Sequence, residues 1–158
     1  MGKRRYIVTD SEKCTGCGIC ELACSGVKTG AFNPLSSRIR TVWVEPLFTT
    51  SIACQLCEDA KCVSSCPRKA LKKDLDTGVI IVNDEDCDGC CWCLQACEFG
   101  AITFLMDKKK VAICDLCGSD PKCVLYCPKN ALELRTPEEI SLKLRKEAAK
   151  RFVTSSSK

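Results

Sequence analysis

The chain contains no histidine. That absence removes haem ligation through an imidazole, Rieske-type ligation, every His-containing zinc site and every nucleophile activated by an imidazole base. Long apolar runs are also missing, and none approaches the length of a bilayer span. The first ten residues, Met1-Gly2-Lys3-Arg4-Arg5-Tyr6-Ile7-Val8-Thr9-Asp10, lead to charged Glu12 and Lys13 without the apolar stretch of a secretory signal. Arg4-Arg5 is the only hint of a twin-arginine signal, and nothing after it supports one. No G-x-G-x-x-G fingerprint follows a strand, so flavin and dinucleotide binding have no sequence support.

What is abundant is cysteine, 17 in 158 residues. Such a density means that covalent or metal staples dominate the fold. Without a secretory signal, the expected compartment is the cytoplasm, where thiols stay reduced and bind metals. Sixteen of the 17 cysteines fall into four sets. Cys87, Cys90, Cys93 and Cys97 read C-x2-C-x2-C-x3-C, and Cys14, Cys17, Cys20 and Cys24 repeat that spacing. Cys54, Cys57, Cys62 and Cys66 read C-x2-C-x4-C-x3-C-P, and Cys114, Cys117, Cys123 and Cys127 read C-x2-C-x5-C-x3-C-P. The first spacing binds a [4Fe–4S] cluster in bacterial-type ferredoxins. Three thiolates from one tight loop cap three corners of a cubane, and the fourth is expected to start a helix and point toward a second cluster. Structural zinc prefers two separated C-x2-C pairs, which these sets do not form. Radical enzymes using S-adenosylmethionine want C-x3-C-x2-C, but Val27, Lys69, Gly100 and Asn130 stand where the third cysteine would be. Cys91 is left over and reads as a small buried hydrophobe. No catalytic residues are expected, and one-electron transfer remains as the chemistry.

The sets are embedded in an internal repeat. Cys66-Pro67-Arg68-Lys69-Ala70-Leu71 matches Cys127-Pro128-Lys129-Asn130-Ala131-Leu132, and Cys97-Glu98-Phe99-Gly100-Ala101-Ile102 is the same element without proline. Each predicts a turn and then a strand, whose alanine passes close to the cluster. Aliphatic Ile19, Val63, Ile102 and Val124 are expected to keep water from the cluster faces. Strands are predicted at Lys3–Thr9, Arg38–Val44 (ended by Pro46), Val79–Val82, Ala101–Leu105, Val111–Ile113 and Ala131–Leu134, with a turn at Asp76-Thr77-Gly78. Asp84-Glu85-Asp86 reads as a solvated turn rather than a proton-transfer pair. Trp43 is core or a subunit contact, with core favoured by burial statistics. From Thr136 the character changes. Thr136-Pro137-Glu138-Glu139 is a capping box with proline at the first helical position. Ile140, Leu144 and Ala148 fall on one stripe, with Phe152 one step further, while Lys143, Lys146, Glu147 and Lys150 lie largely outside it. This basic amphipathic helix either packs on its own domain or serves as a docking arm.

The formal charge is +4, which could suggest nucleic acid. A [4Fe–4S] core held by four thiolates carries about 2− overall, so four of them bring the net charge to about −4. The basic residues then offset buried anionic clusters.

With the longer spacer and proline in the second and fourth sets, the chain resembles, over residues 4 to 135, the four-cluster ferredoxin-type electron-transfer subunits of molybdenum and tungsten oxidoreductases. Phe32-Asn33-Pro34-Leu35-Ser36-Ser37-Arg38-Ile39 looks most like the small iron–sulfur subunits that accompany aldehyde:ferredoxin oxidoreductase-type tungsten enzymes. The resemblance implies an α+β fold of two interleaved bacterial-ferredoxin-like modules with two [4Fe–4S] clusters each. Residues 1–50 and 105–135 would form an outer module, residues 51–104 an inner one, and residues 136–158 a C-terminal helix and tail. The 20 residues between Cys66 and Cys87, with one hairpin, suit such a core, in which each fourth cysteine serves the other cluster. The implied wiring is Cys14/Cys17/Cys20/Cys127, Cys114/Cys117/Cys123/Cys24, Cys54/Cys57/Cys62/Cys97 and Cys87/Cys90/Cys93/Cys66. The expected function is a non-catalytic relay between a large tungsten- or molybdenum-pterin oxidoreductase subunit and an outside carrier, with a further carrier or flavoprotein subunit as an additional partner. The alternatives are a free-standing polyferredoxin shuttle and a structural zinc-binding interaction protein.

Overall fold

The structure, a computed structural model, describes residues 4–44 and 48–155. Its strands all stand in antiparallel pairs, so the class is α+β with four two-stranded sheets. β1 (Tyr6–Thr9) pairs with β8 (Leu132–Arg135), which joins the two ends of the cysteine-rich region with Ile7 opposite Leu134 and Thr9 opposite Leu132. β2 (Arg40–Val44) pairs with β3 (Phe48–Ile52). β4 (Leu71–Lys73) pairs with β5 (Ile80–Val82) across the predicted turn, where Gly78 has φ +77° and donates its N–H to the Asp74 carbonyl at 2.8 Å. β6 (Ile102–Leu105) pairs with β7 (Lys110–Ile113). β3 is an addition to the sequence expectation. Its Phe-Thr-Thr-Ser-Ile run is β-branched but mostly polar, and it becomes a strand because β2 supplies a partner ladder. Lys3 and Pro46 lie outside the described residues.

Four helices follow one rule. α1 (Ile19–Thr29), α2 (Lys61–Ser64), α3 (Trp92–Ala96) and α4 (Lys122–Leu125) each carry the third cysteine of a set as their second residue. The expectation that the fourth cysteine starts a helix is therefore corrected: the third one does. Cys66, Cys97 and Cys127 fall at or just beyond a helix end, and Cys24 lies within α1. The spacing i, i+4 explains this, because one helical turn brings both thiols to the same side.

Burial falls into two clusters. Ile7, Ile39, Ala53, Leu56, Leu116 and Leu132 pack with Cys20, Cys24, Cys114 and Cys123 in the first. Leu71, Ile80, Val111 and Ile113 pack with Cys93 in the second, bordered by Cys54, Cys62, Cys66 and Cys87. Cysteines thus line the interior where another small domain would place leucine and phenylalanine.

α5 (Pro137–Ser155) begins on the predicted capping box, with Glu139 N–H donating to Thr136 Oγ1 at 3.3 Å and Thr136 N–H to Glu139 Oε2 at 2.9 Å. Its inward side differs from the predicted stripe. Lys143 points to the body, with Nζ 3.0 Å from Glu133 Oε2 and 3.9 Å from Asp10 Oδ2, while Leu144 is 59 % exposed and Ala148 is exposed. The first half of the helix is clamped to the β1–β8 pair by charge more than by apolar packing. Beside it lies an open cleft of about 930 Å³ lined by Tyr6, Val8, Ile52, Phe99, Ile140 and Leu144. Among the described residues, no helix is long and apolar enough to cross a membrane.

Trp43 is not core: it is 64 % exposed. A two-stranded sheet is too narrow to bury a side chain as large as indole, and this one lies on Gly16. A Cβ at Gly16 would collide with the six-membered ring of Trp43, so that glycine is needed for the close approach as well as for its φ of +68°.

Candidate metal centres

All 17 cysteines are free thiols. The loops that present them share one backbone device. The residue two after the first cysteine is left-handed in every set: Gly16 at φ +68°, Leu56 at +47°, Gly89 at +72° and Leu116 at +55°. This turns the chain tightly between the first two cysteines of each set. Glycine adopts that conformation freely. A leucine does so at a cost of about 1–2 kcal/mol. Leu56 is 0 % and Leu116 4 % exposed, and burying a leucine gains about 1.5–3 kcal/mol, so packing outweighs the strain.

Cys91 occupies the same loop position as Gly18. Both are left-handed and immediately precede a helix, Gly18 at φ +72° before α1 and Cys91 at φ +65° before α3. Cys91 is therefore not a buried hydrophobe. It is half-buried, and its thiol donates to the Gly89 carbonyl at 3.2 Å. The matching Gly-Cys-Gly and Gly-Cys-Cys runs, residues 16–18 and 89–91, carry that signal in the sequence.

The fourth cysteines have a second device. Lys69, Gly100 and Asn130, each three residues on, are left-handed. Each donates its N–H back to the cysteine carbonyl, at 3.1, 3.2 and 3.1 Å. The next residues, Ala70, Ala101 and Ala131, are buried. Ala101 N–H donates to Cys97 Sγ at 3.4 Å and Ala131 N–H to Cys127 Sγ at 3.3 Å. Cys24 has no such turn, because α1 runs on past it. Its sulfur accepts instead from the Arg38 N–H at 3.3 Å, delivered by the segment before β2. Arg38 also reaches Asp115 at 2.9 Å, alongside Lys28 at 2.8 Å. Burial opposes ionisation of Asp115, but Lys28, the Cys117 N–H and Arg38 together hold its carboxyl below the usual range. Nothing in the sequence distinguishes Arg38 or Asp115 from other surface charges.

Four groups of thiols emerge. Cys14, Cys17, Cys20 and Cys127 line one narrow cavity with Gly18, Ala131 and Leu132. Cys54, Cys57, Cys62 and Cys97 line a cavity of about 350 Å³ walled by Ile80, Ala101, Ile102 and Ile113. Cys93 lies within electrostatic reach of Cys66 and Cys87. Cys123 lies within reach of Cys114, Cys24 and Cys117. The groups adjoin through the core: Cys20, Cys114 and Cys123 share the first hydrophobic cluster, Cys54 borders both clusters, and Cys62 packs against Cys93 in the second. Cys17 and Cys90 are the exposed thiols. Val63, Ile102 and Val124 are half-buried against the two cores, whereas Ile19 is 38 % exposed. The thiols ring spaces rather than meet at points, and among the described residues no three metal-ligating side chains gather around one ion position.

The donor set fits a thiolate-bound inorganic core. Burial pushes the Cys54 thiol and the Cys93 thiol up to about 11 and the Cys114 thiol up to about 12, with neighbouring thiolates adding to the rise. Cys123, Cys62 and Cys20 shift the same way, burial again first. Thiols so placed ionise only against a compensating positive charge, which a metal core supplies. Alanines and backbone N–H groups at the sulfurs leave room and supply the hydrogen bonds that a bound thiolate accepts.

One polar cluster belongs to the β2–β3 pair. Thr41 and Ser51 stand directly opposite each other across the ladder. Their hydroxyl oxygens are 3.4 Å apart, and each is 3.5 Å from Cys20 Sγ. Ser51 Oγ is also 3.9 Å from Cys14 Sγ. On the next rung of that face, Thr49 Oγ1 donates to the Cys14 carbonyl at 2.7 Å and Trp43 covers Gly16.

Comparison with known proteins agrees with this chemistry. The 4Fe–4S dicluster domain matches residues 45–137 and a 4Fe–4S binding domain matches residues 7–25. The polyferredoxin-like subunit of the aliphatic sulfonate oxidoreductase of Pyrococcus furiosus is 40 % identical over 125 residues, 79 % of this chain and 72 % of the relative. The B subunit of the anaerobic dimethyl sulfoxide reductase is 34 % identical in Haemophilus influenzae, across 89 % of this chain and 78 % of the relative. Its Escherichia coli counterpart is 35 % identical, across 85 % and 74 %. The chain belongs to the 4Fe–4S dicluster ferredoxin family. It is a non-catalytic iron–sulfur electron-transfer subunit of the oxidoreductase type.

Proposed function

We propose that the chain holds four [4Fe–4S] clusters and relays single electrons between a large catalytic subunit and an outside carrier. When bound, such a cluster supplies one-electron oxidation and reduction. The proposed ligand sets are Cys14/Cys17/Cys20/Cys127, Cys114/Cys117/Cys123/Cys24, Cys54/Cys57/Cys62/Cys97 and Cys87/Cys90/Cys93/Cys66. The observation that carries the reading is the order of the thiol groups. Cys20 packs with Cys114 and Cys123 in the first hydrophobic cluster, Cys54 borders both clusters, and Cys62 packs against Cys93 in the second, which supports a line of the four sets in the order just given. The exposed thiols Cys17 and Cys90 belong to its two ends. A relay needs two accessible ends and shielded middle positions, whereas a shuttle needs only one accessible end.

Two interleaved modules follow from the same reading, the outer from residues 1–50 and 105–135 and the inner from residues 51–104. The two hydrophobic clusters support the division in part: β7 goes with the inner module, since Val111 and Ile113 pack there, while Ala53 and Leu56 of the inner span pack in the outer cluster. We take the partner to be a tungsten- or molybdenum-pterin oxidoreductase subunit, most like the aldehyde:ferredoxin oxidoreductase type. The resemblance of residues 32–39 supports this, as do relatives named for sulfonate and dimethyl sulfoxide oxidoreductases. A cytoplasmic location fits the many free thiols. Affinity purification of the tagged chain under anaerobic conditions tests the reading. A large pterin-containing subunit should accompany it and be reduced or oxidised through it. A chain that purifies alone and exchanges electrons with soluble carriers only is the free-standing shuttle, and zinc in place of iron is the interaction protein.

A further inference from the structure

We infer that the β2–β3 hairpin sets the reduction potential of the first cluster site, by placing the hydroxyls of Thr41 and Ser51 on its ligand sulfurs. The inference rests on the ligand set Cys14/Cys17/Cys20/Cys127 proposed above. Both hydroxyl oxygens lie 3.5 Å from Cys20 Sγ, and Ser51 also reaches Cys14 Sγ at 3.9 Å. In a free thiol either atom can be the donor. A metal-bound thiolate has no proton, so there the hydroxyls must donate. Their geometry favours such a bond. Two protons serve Cys20, Cys14 and each other, and whichever hydroxyl donates to its neighbour leaves that neighbour's proton for a sulfur.

The pair is held from both sides. The Ser51 carbonyl accepts from Thr9 Oγ1 at 2.5 Å, which ties β3 to β1. The Thr41 N–H donates to Glu21 Oε1 at 2.6 Å, the residue next to Cys20. Ser51 is buried, so water does not compete for its bond. Among the described residues, the other ligand sulfurs that accept hydrogen bonds do so from backbone N–H groups, Arg38 at Cys24 and Ala101 at Cys97 among them. Reduction adds one electron and no proton to a core that is already anionic. Donors at the sulfurs stabilise the more negative state and raise the potential. The first site is therefore predicted to lie higher than the same site without its hydroxyls.

The test is a mediated redox titration, followed by paramagnetic resonance, of the full-length protein and of Thr41→Val, Ser51→Ala and their combination. Thr41→Val keeps the shape of the side chain and removes only the hydroxyl. One of four midpoint potentials should fall in each single variant and fall furthest in the double variant, with the iron content and the other three unchanged. Thr41→Ser, which keeps a hydroxyl, should restore the wild-type value. In the wild type, the reduced first cluster should show exchangeable-proton couplings from the hydroxyls, beyond those of backbone N–H groups such as Ala131, and the double variant should lose the hydroxyl couplings alone. Four unmoved potentials at full iron content, or a shift that Thr41→Ser reproduces, overturn the inference and leave the ligand reading standing. A wild-type protein with fewer than four clusters overturns the reading on which it rests.

Discussion

At the scale of single residues, left-handed backbone is what shapes the cysteine loops, and the side chains there show which force holds it. Leu56 is the sharpest case. Replacing it by glycine relieves about 1–2 kcal/mol of left-handed strain but empties a fully buried site, for which leucine truncation costs about 2–5 kcal/mol. Loss is the larger effect, so Leu56→Gly should lose its cluster absorbance in urea at lower denaturant than the wild type. A variant as stable as the wild type would show that the loop, not the packing, sets this conformation. Cys91 predicts the opposite outcome. It sits where Gly18 sits in the first set, at φ +65°, and its side chain is not among the proposed ligands. Cys91→Gly should keep full iron content and be equal to or slightly more stable than wild type. Cys91→Ala, which keeps the strain and loses the thiol bond to Gly89, should also keep its iron. Loss of iron in either variant would make Cys91 a ligand.

At the scale of elements, the clamp on α5 carries a pH dependence whose direction follows from its groups. Lys143, with Arg135 in support, holds the Glu133 carboxyl below its ordinary value. Lys13, opposed by slight burial and aided by Lys143, does the same for Asp10. A lowered carboxylate contributes stability above its unfolded value and loses it as the pH falls through the lower, folded one. α5 should therefore stay docked at neutral pH and become accessible to proteases as the medium passes below the usual carboxylate range. Lys143→Met should raise cleavage in α5 at pH 7 and flatten that acid dependence. Equal cleavage of both proteins at every pH would mean that apolar contacts from Ile140 do the holding. The same helix marks a boundary of what a sequence reveals. Its capping box is legible because capping is local, within four residues. Its inward face is not, because Lys143 is drawn in by Asp10 and Glu133, which are remote or outside the helical period. β3 is hidden for a related reason: Thr49, Thr50 and Ser51 look like loop residues until β2 lies beside them. Trp43 departs from the burial statistics because it stands toward the far end of a two-stranded hairpin, where its indole lies on the Gly16 loop and not in a core.

At the scale of the whole molecule, cysteine spacing conveys most of the organisation because a metal-binding loop encodes its geometry in a few fixed intervals. The turn and the buried alanine after Cys66, Cys97 and Cys127 are legible in the repeat; that each helix starts around the third cysteine and not the fourth is not, because spacing alone does not fix a helix start. Which sets adjoin depends on packing between segments far apart in the chain: β1 against β8, α1 near α4, and Arg38 beside both Cys24 and Asp115. That packing brings cysteines of all four sets into or against the two hydrophobic clusters and leaves Cys17 and Cys90 exposed. The most direct measurement is the iron, sulfide and zinc content of the anaerobically purified protein, read together with its Mössbauer spectrum. The account predicts about 16 iron and about 16 acid-labile sulfides per chain, all in cubane clusters and with no stoichiometric zinc. Zinc in place of iron, or iron for no more than two clusters, would contradict it.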